Sequence, residues 1–189
     1  MSDPSVLYRR ACDVFDAGVR AVRPDQWSVP TPCADWNVRE LVNHVVVEDL
    51  WMPLLMEGKT IAEVGDSFDG DQLGDDPVAT WDAAVSAARA VAAQPDAVSR
   101  TVHLSYGDEV AGEYLMQLFA DHLIHGWDLA TAVGADTELP ADLVAACAAW
   151  FAEREAAYRA GGAIGRRPPV PDDADPQTRL LAAFGRTAG

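Results

Sequence analysis

An all-helical bundle is the fold class this sequence predicts, and three observations carry it. Apolar residues recur at spacings of three and four over long stretches. Those stretches begin and end at helix-capping residues. Strand-like alternation is confined to one short segment, TVHLSY.

The first helix spans Val6 to Val22, where Leu7, Ala11, Val14, Phe15, Gly18 and Val22 keep the helical spacing and Pro24 marks the end. The loop SVPTPCADW follows, with turn chemistry at Pro30, Pro32 and Asp35. Asn37 and Glu40 form a capping-box pattern for the second helix, Val38 to Met56. That helix is the most apolar of the chain and is expected to be largely buried. Pro53 lacks an amide donor, so the last turn is either kinked or cut short.

The Gly- and Asp-rich stretch from Glu57 to Asp75 reads as a mobile connection. Asp76 and Pro77 then supply an N-cap and first-turn proline for a third helix to about Ala93. A hairpin over Arg100 to Val110, turning at Gly107-Asp108, precedes a fourth helix from Gly112 to Val133 that stops at Gly134. Pro140 opens a fifth helix to about Tyr158. The stretch from Gly161 to Pro176 reads as extended, and a last short helix, Gln177 to Phe184, docks Leu180, Leu181 and Phe184 on the bundle. The whole is expected to form a single domain over residues 1–189.

Composition narrows the function. Thirty acidic residues against 14 basic ones give a net charge of -16, a surface that repels phosphate backbones and anionic membranes. Neither nucleic acid nor membrane is an expected partner; a small-molecule substrate or thiol is, with a homodimer also open. No run reaches the roughly 18 apolar residues of a membrane span. The start, MSDPSVLYRR, lacks a secretory h-region. Cys12, Cys33 and Cys147 lie far apart without CxxC spacing, which fits a reducing compartment, so a cytoplasmic location is expected.

The densest cluster of metal-capable side chains is DHLIHGWD, carrying Asp121, His122, His125 and Asp128 on one helix. At about 100° per residue, Asp121 and His125 lie about 40° apart and one turn along the axis, so both can face one ion. Asp128 continues that stripe and can accept the second imidazole N–H or reach solvent near the site. His122 sits nearer the apolar stripe and is the less natural ligand. A zinc site needs a third protein group, and His44, a lone histidine within the most apolar helix, is the best source. Glu48, one turn later, can be a ligand, a supporting partner or a base. Bland readings stand beside these: His44 as a hydrogen-bonded core residue, Cys33 as a small buried hydrophobe rather than a soft ligand or reactive thiol. No phosphate loop, GxSxG elbow or HExxH occurs.

Three segments in order, TPCADWNVRELVNHVV, DHLIHGWDLATAVG and QTRLLAAFGR, resemble the actinobacterial metal-binding branch of the DinB-like helical bundles, related to the N-terminal domain of mycothiol-dependent maleylpyruvate isomerase. The resemblance spans nearly the whole chain. It implies an up-down-down-up four-helix bundle, here with a small β-hairpin insertion and a short C-terminal helix. It also implies one divalent metal on His44, Asp121 and His125, with zinc first and nickel or iron as alternatives. Asp121 stands where the isomerase has a glutamate, and the chain is too short for the isomerase's additional C-terminal domain, so maleylpyruvate isomerisation itself is not the expected reaction. The expectation is a transferase or isomerase using a low-molecular-weight thiol such as mycothiol, with Glu48 or Asp128 moving protons. The alternatives are a non-catalytic or stress-associated protein with a structural metal, its shell closed by Glu48, His122 or Cys33, and a metal-dependent hydrolase.

Overall fold

The computed structural model describes residues 3–33 and 36–187. Asp35, read above as a turn residue, lies outside them. Helix α1 (Pro4–Ala21) starts at Asp3, whose carboxylate accepts from the Ser5 amide. Helix α2 (Val38–Met56) carries the full capping box of Asn37 and Glu40. It does not end early at Pro53; the last turn closes through Glu57 N–H donating to the Pro53 carbonyl at 3.0 Å. A one-turn helix α3 (Ile61–Val64) leads to α4 (Pro77–Ala92), capped by Asp76.

A 3₁₀ turn (Ala97–Ser99) and the antiparallel pair β1 (Thr101–Leu104) and β2 (Gly107–Val110) precede α5 (Ala111–Val133). The chain closes with α6 (Ala141–Phe151), α7 (Glu155–Ala160) and α8 (Pro176–Ala183). No helix among the described residues is long and apolar enough to cross a membrane.

Side-chain pairings fix the directions of the four long helices. Phe15 faces Gly126 and Gly18 faces Leu129, so α1 and α5 run parallel. Asp13 pairs with Arg89, and Arg20 with Asp82, so α4 opposes α1. His44 meets His125 while Asp49 meets His122, so α2 opposes α5. The order is up-down-down-up, around a core that includes Phe15, Leu41, Trp81, Leu115 and Phe119. Gly126 admits the close approach of α1 and α5; a Cβ there would stand 3.0 Å from Val14 Cγ1 and 3.4 Å from the Phe15 amide.

Three expectations change. The hairpin turns at Ser105-Tyr106, and Gly107 opens the second strand with φ 134°, the left-handed conformation that a residue with a Cβ rarely adopts. The fifth helix breaks between Phe151 and Glu155 because Arg154 replaces a helical bond: its guanidinium donates to the Trp150 carbonyl at 2.7 Å and grips Glu113. The 57–75 connection is fastened rather than loose. The Asn43 amide donates to Gly70 O and accepts from Gln72 N–H, Arg39 holds Asp71 and Gly74 O, and Leu73 is buried.

One buried polar cluster ties α1, α2 and α5. The Tyr8 hydroxyl donates to Asp49 Oδ1 at 2.5 Å, and His122 Nε2 lies 3.2 Å from the same carboxylate, an ion-pair distance without hydrogen-bond alignment. His122 Nδ1 donates to the Leu118 carbonyl at 2.8 Å. Burial pushes the His122 pKa down, but the Asp49 charge outweighs it and the pKa is raised well above the ordinary value. Removing Asp49 therefore takes away the buried carboxylate that the Tyr8 hydroxyl and the His122 ring share. Asp49→Ala is expected to destabilise the fold by about 3–5 kcal/mol, and Tyr8→Phe by about 1 kcal/mol, read as shifts in urea-unfolding midpoints. Unchanged midpoints would contradict this account.

Candidate metal centre

The sequence places its titratable residues on α2 and α5 so that consecutive positions serve opposite faces. His122 turns into the core on the Asp49 side, while Asp121 and His125, one turn apart, face His44 across the α2–α5 interface. The donor atoms of His44, Asp121 and His125 all lie within 4.8 Å of one another. Asp121 Oδ1 is 3.3 Å from His44 Nε2 and 3.4 Å from His125 Nε2. These separations are long for a charge-assisted hydrogen bond, about 2.7–2.9 Å. They match the edge of a tetrahedron with metal–ligand bonds of about 2.0–2.1 Å, which is roughly 3.3 Å. Asp121 Oδ2 is buried and lies 3.3 Å from His44 Nε2, an ion-pair distance without hydrogen-bond alignment. A carboxylate, two imidazoles and an unsatisfied oxygen fit a divalent cation.

Electrostatics agree with that fit. Burial pushes the Asp121 carboxyl up, yet the two imidazoles outweigh it and hold its pKa well below the usual range. Burial lowers the His125 pKa, but Asp121 and Asp128 reverse this and raise it to about 9. The two carboxylates thus favour a cation at this point, whether a proton or a metal that displaces it.

His125 is held from behind. Its Nδ1 donates to Asp128 Oδ2 at 3.0 Å, which directs Nε2 toward Asp121. Asp128 is fully buried and also accepts from Arg186, through Nε at 3.0 Å and Nη2 at 2.7 Å. Burial raises the Asp128 carboxyl, but His125 and Arg186 hold it below the usual range. Arg186 reaches this position because α8 ends in a left-handed Gly185, φ 81°, with the Arg186 amide returning to Leu181 O at 2.8 Å. Sequence reasoning missed Arg186; the Gly-Arg step just after the last helix was its only local signal.

The triad opens on a cavity of about 350 Å³ with aromatic walls from Trp36, Tyr114, Trp150, Tyr158 and Phe184. Trp36 lies over both imidazoles, with ring centroids 4.6 Å from His44 and 5.5 Å from His125. Its loop is closed by Val38 N–H on Val29 O and by Thr31, whose hydroxyl donates to Trp36 O at 2.8 Å. Glu48 lines the same cavity, half-buried; burial and then the Asp121 charge raise its pKa.

Cys33 is also at the cavity wall, half-buried and packed against the core. It forms a second group of metal-capable atoms with His125 and Asp128, but Arg186 already occupies that carboxylate. Cys147, by contrast, is buried, and burial pushes its thiol up to about 12. His122 does not line the cavity, and His103 pairs with Asp108 on the hairpin, 2.7 Å away.

Sequence comparison places this geometry in a family. The model of the mycothiol maleylpyruvate isomerase N-terminal domain matches residues 8–130, which include all three residues of the triad. Two uncharacterized proteins from two strains of Mycobacterium tuberculosis are each 33% identical over 195 residues, covering 98% of this chain and 98% of their own length. No solved structure matches. With its helical bundle, hairpin and matched span, the chain belongs to the mycothiol maleylpyruvate isomerase N-terminal domain family.

Proposed function

We propose that this protein is a metal-dependent transferase or isomerase that uses a low-molecular-weight thiol, mycothiol being the thiol its family suggests. His44, Asp121 and His125 would hold one divalent ion, zinc in the first instance and nickel or iron as alternatives. The observation that carries the reading is the meeting of three donor atoms within 4.8 Å of one another on the wall of an aromatic cavity, with the carboxylate at tetrahedral spacing from both imidazoles. A bound ion would lower the pKa of a thiol and keep it as thiolate at neutral pH. Three protein ligands rather than four suit a site that admits a small molecule.

The chain's own residues divide the remaining work. Asp128 and Arg186 fix the His125 ring, since both Asp128 oxygens are engaged and no part of that residue is exposed. Glu48 is the residue suited to proton transfer: it lines the cavity, and its raised pKa brings it nearer neutrality than an exposed glutamate. Trp36 and the other aromatic side chains wall the cavity beside the three ligands. A water-activating hydrolase would use the same three ligands.

Metal content tests the reading. Untagged protein is expected to hold about one equivalent by elemental analysis after reconstitution with zinc, lost in both His44→Ala and His125→Ala. Absence of bound metal from wild type after reconstitution with zinc, nickel or iron would contradict it. Arg186→Ala is expected to lower zinc affinity about 10- to 100-fold, measured by competition with a chromophoric chelator. Unchanged affinity would remove Arg186 and Asp128 from the support of His125.

A further inference from the structure

The hairpin brings a second polar feature to the rim of the cavity. Gln117, on α5 one turn before Asp121, is half-buried and is the only side-chain amide among the described residues that line the cavity. Its Nε2 donates to the Tyr106 hydroxyl at 2.6 Å. Tyr106 stands in the hairpin turn and is 64% exposed, so the pair sits where the wall meets solvent. One helical turn, about 6 Å along the axis, separates Gln117 from Asp121. A short thiol spans that gap when its sulfur is on the ion.

The pair has hydrogen-bonding capacity to spare. Gln117 Oε1 accepts nothing among the described residues and is not buried. The Tyr106 hydroxyl takes one proton from Gln117 and keeps its own to give. Partial burial raises the Tyr106 pKa, so that proton stays on at neutral pH. One acceptor and one donor are thus held side by side, and turning the Gln117 amide over exchanges their roles without changing the count. The group that matches them carries a donor and an acceptor on one edge, as a carboxamide does. A carboxylate has acceptors alone and would set an oxygen against Gln117 Oε1. An ion on the triad would attract a carboxylate as well, so charge does not choose between the two; the hydrogen-bonding edge does.

We infer that Gln117 and Tyr106 form a carboxamide-recognition site at the rim of the cavity, selecting thiols that carry an uncharged amide a few bonds from the sulfur. This rests on the metal and thiol reading above for the anchor of the sulfur. The hydrogen bond between the two side chains holds both in place before a ligand arrives, so less ordering is left for binding to supply.

Three thiols of one outline test it on the zinc-loaded full chain: 3-mercaptopropanamide, 3-mercaptopropanoate and 3-methylbutane-1-thiol. Affinities are read by calorimetry and by quenching of tryptophan fluorescence. Gln117→Leu is expected to weaken the amide about 5-fold without weakening the carboxylate or the alkyl thiol, and with the thermal midpoint unchanged. Adding Tyr106→Phe to that variant is expected to weaken the amide and the carboxylate alike by about 3-fold more, because both accept from the hydroxyl, and to spare the alkyl thiol. An amide that keeps its wild-type affinity in Gln117→Leu, equal loss for all three thiols, or no binding of the amide to wild type would overturn the assignment. The reading beneath it fails separately. Thiols that bind His44→Ala as well as wild type would count against the metal anchor, while a loss confined to the amide when Gln117→Leu is added to that variant would still stand for the pair.

Discussion

Everything at the α2–α5 interface depends on one constraint: charged groups inside a helical bundle must be paired, because an isolated charge there is too costly to keep. The chain meets it twice on neighbouring residues. Asp121 looks toward the cavity and gathers His44 and His125, whereas His122 looks into the core and takes Asp49, which Tyr8 also holds. Three helices are thereby locked in rotation and register. The cavity-facing set is left with an unsatisfied carboxylate oxygen and imidazole nitrogens that converge, so the unsatisfied end of the network is where a ligand is wanted.

The support around that set is layered. Trp36 covers the imidazoles, Asp128 holds the back of His125, and Arg186 holds Asp128. The last link ties the site to the far end of the chain, because Arg186 is delivered by α8, which docks through Leu180, Leu181 and the stack of Phe184 on Phe151 at 3.9 Å. The C-terminal segment is thus part of the site's construction although it lies beyond the span that matches the family model.

Much of this was legible in the sequence, for physical reasons. The Asn37 and Glu40 box, the Asp76-Pro77 start and the Gly134 stop are local chemistry, and each fell where its pattern placed it. The Asp121 and His125 pair was legible because four residues is one helical turn. His44 stood out as a lone histidine within the most apolar helix, and the resemblance then joined it to the pair, since no local rule says which face of α2 meets which face of α5. What escaped is non-local or rests on a single side chain: Arg154 taking over a helical carbonyl, Asn43 fastening the 57–75 stretch, and Arg186 crossing to Asp128.

The most direct measurement is the zinc-edge X-ray absorption spectrum of the reconstituted protein with and without added thiol. The account predicts nitrogen and oxygen ligands at about 2.0–2.1 Å for the protein alone, and a new sulfur at about 2.3 Å when the thiol is added. A sulfur already present before thiol is added would mean that Cys33 closes the shell. That result, or a shell unchanged by thiol, would contradict an open, thiol-activating centre.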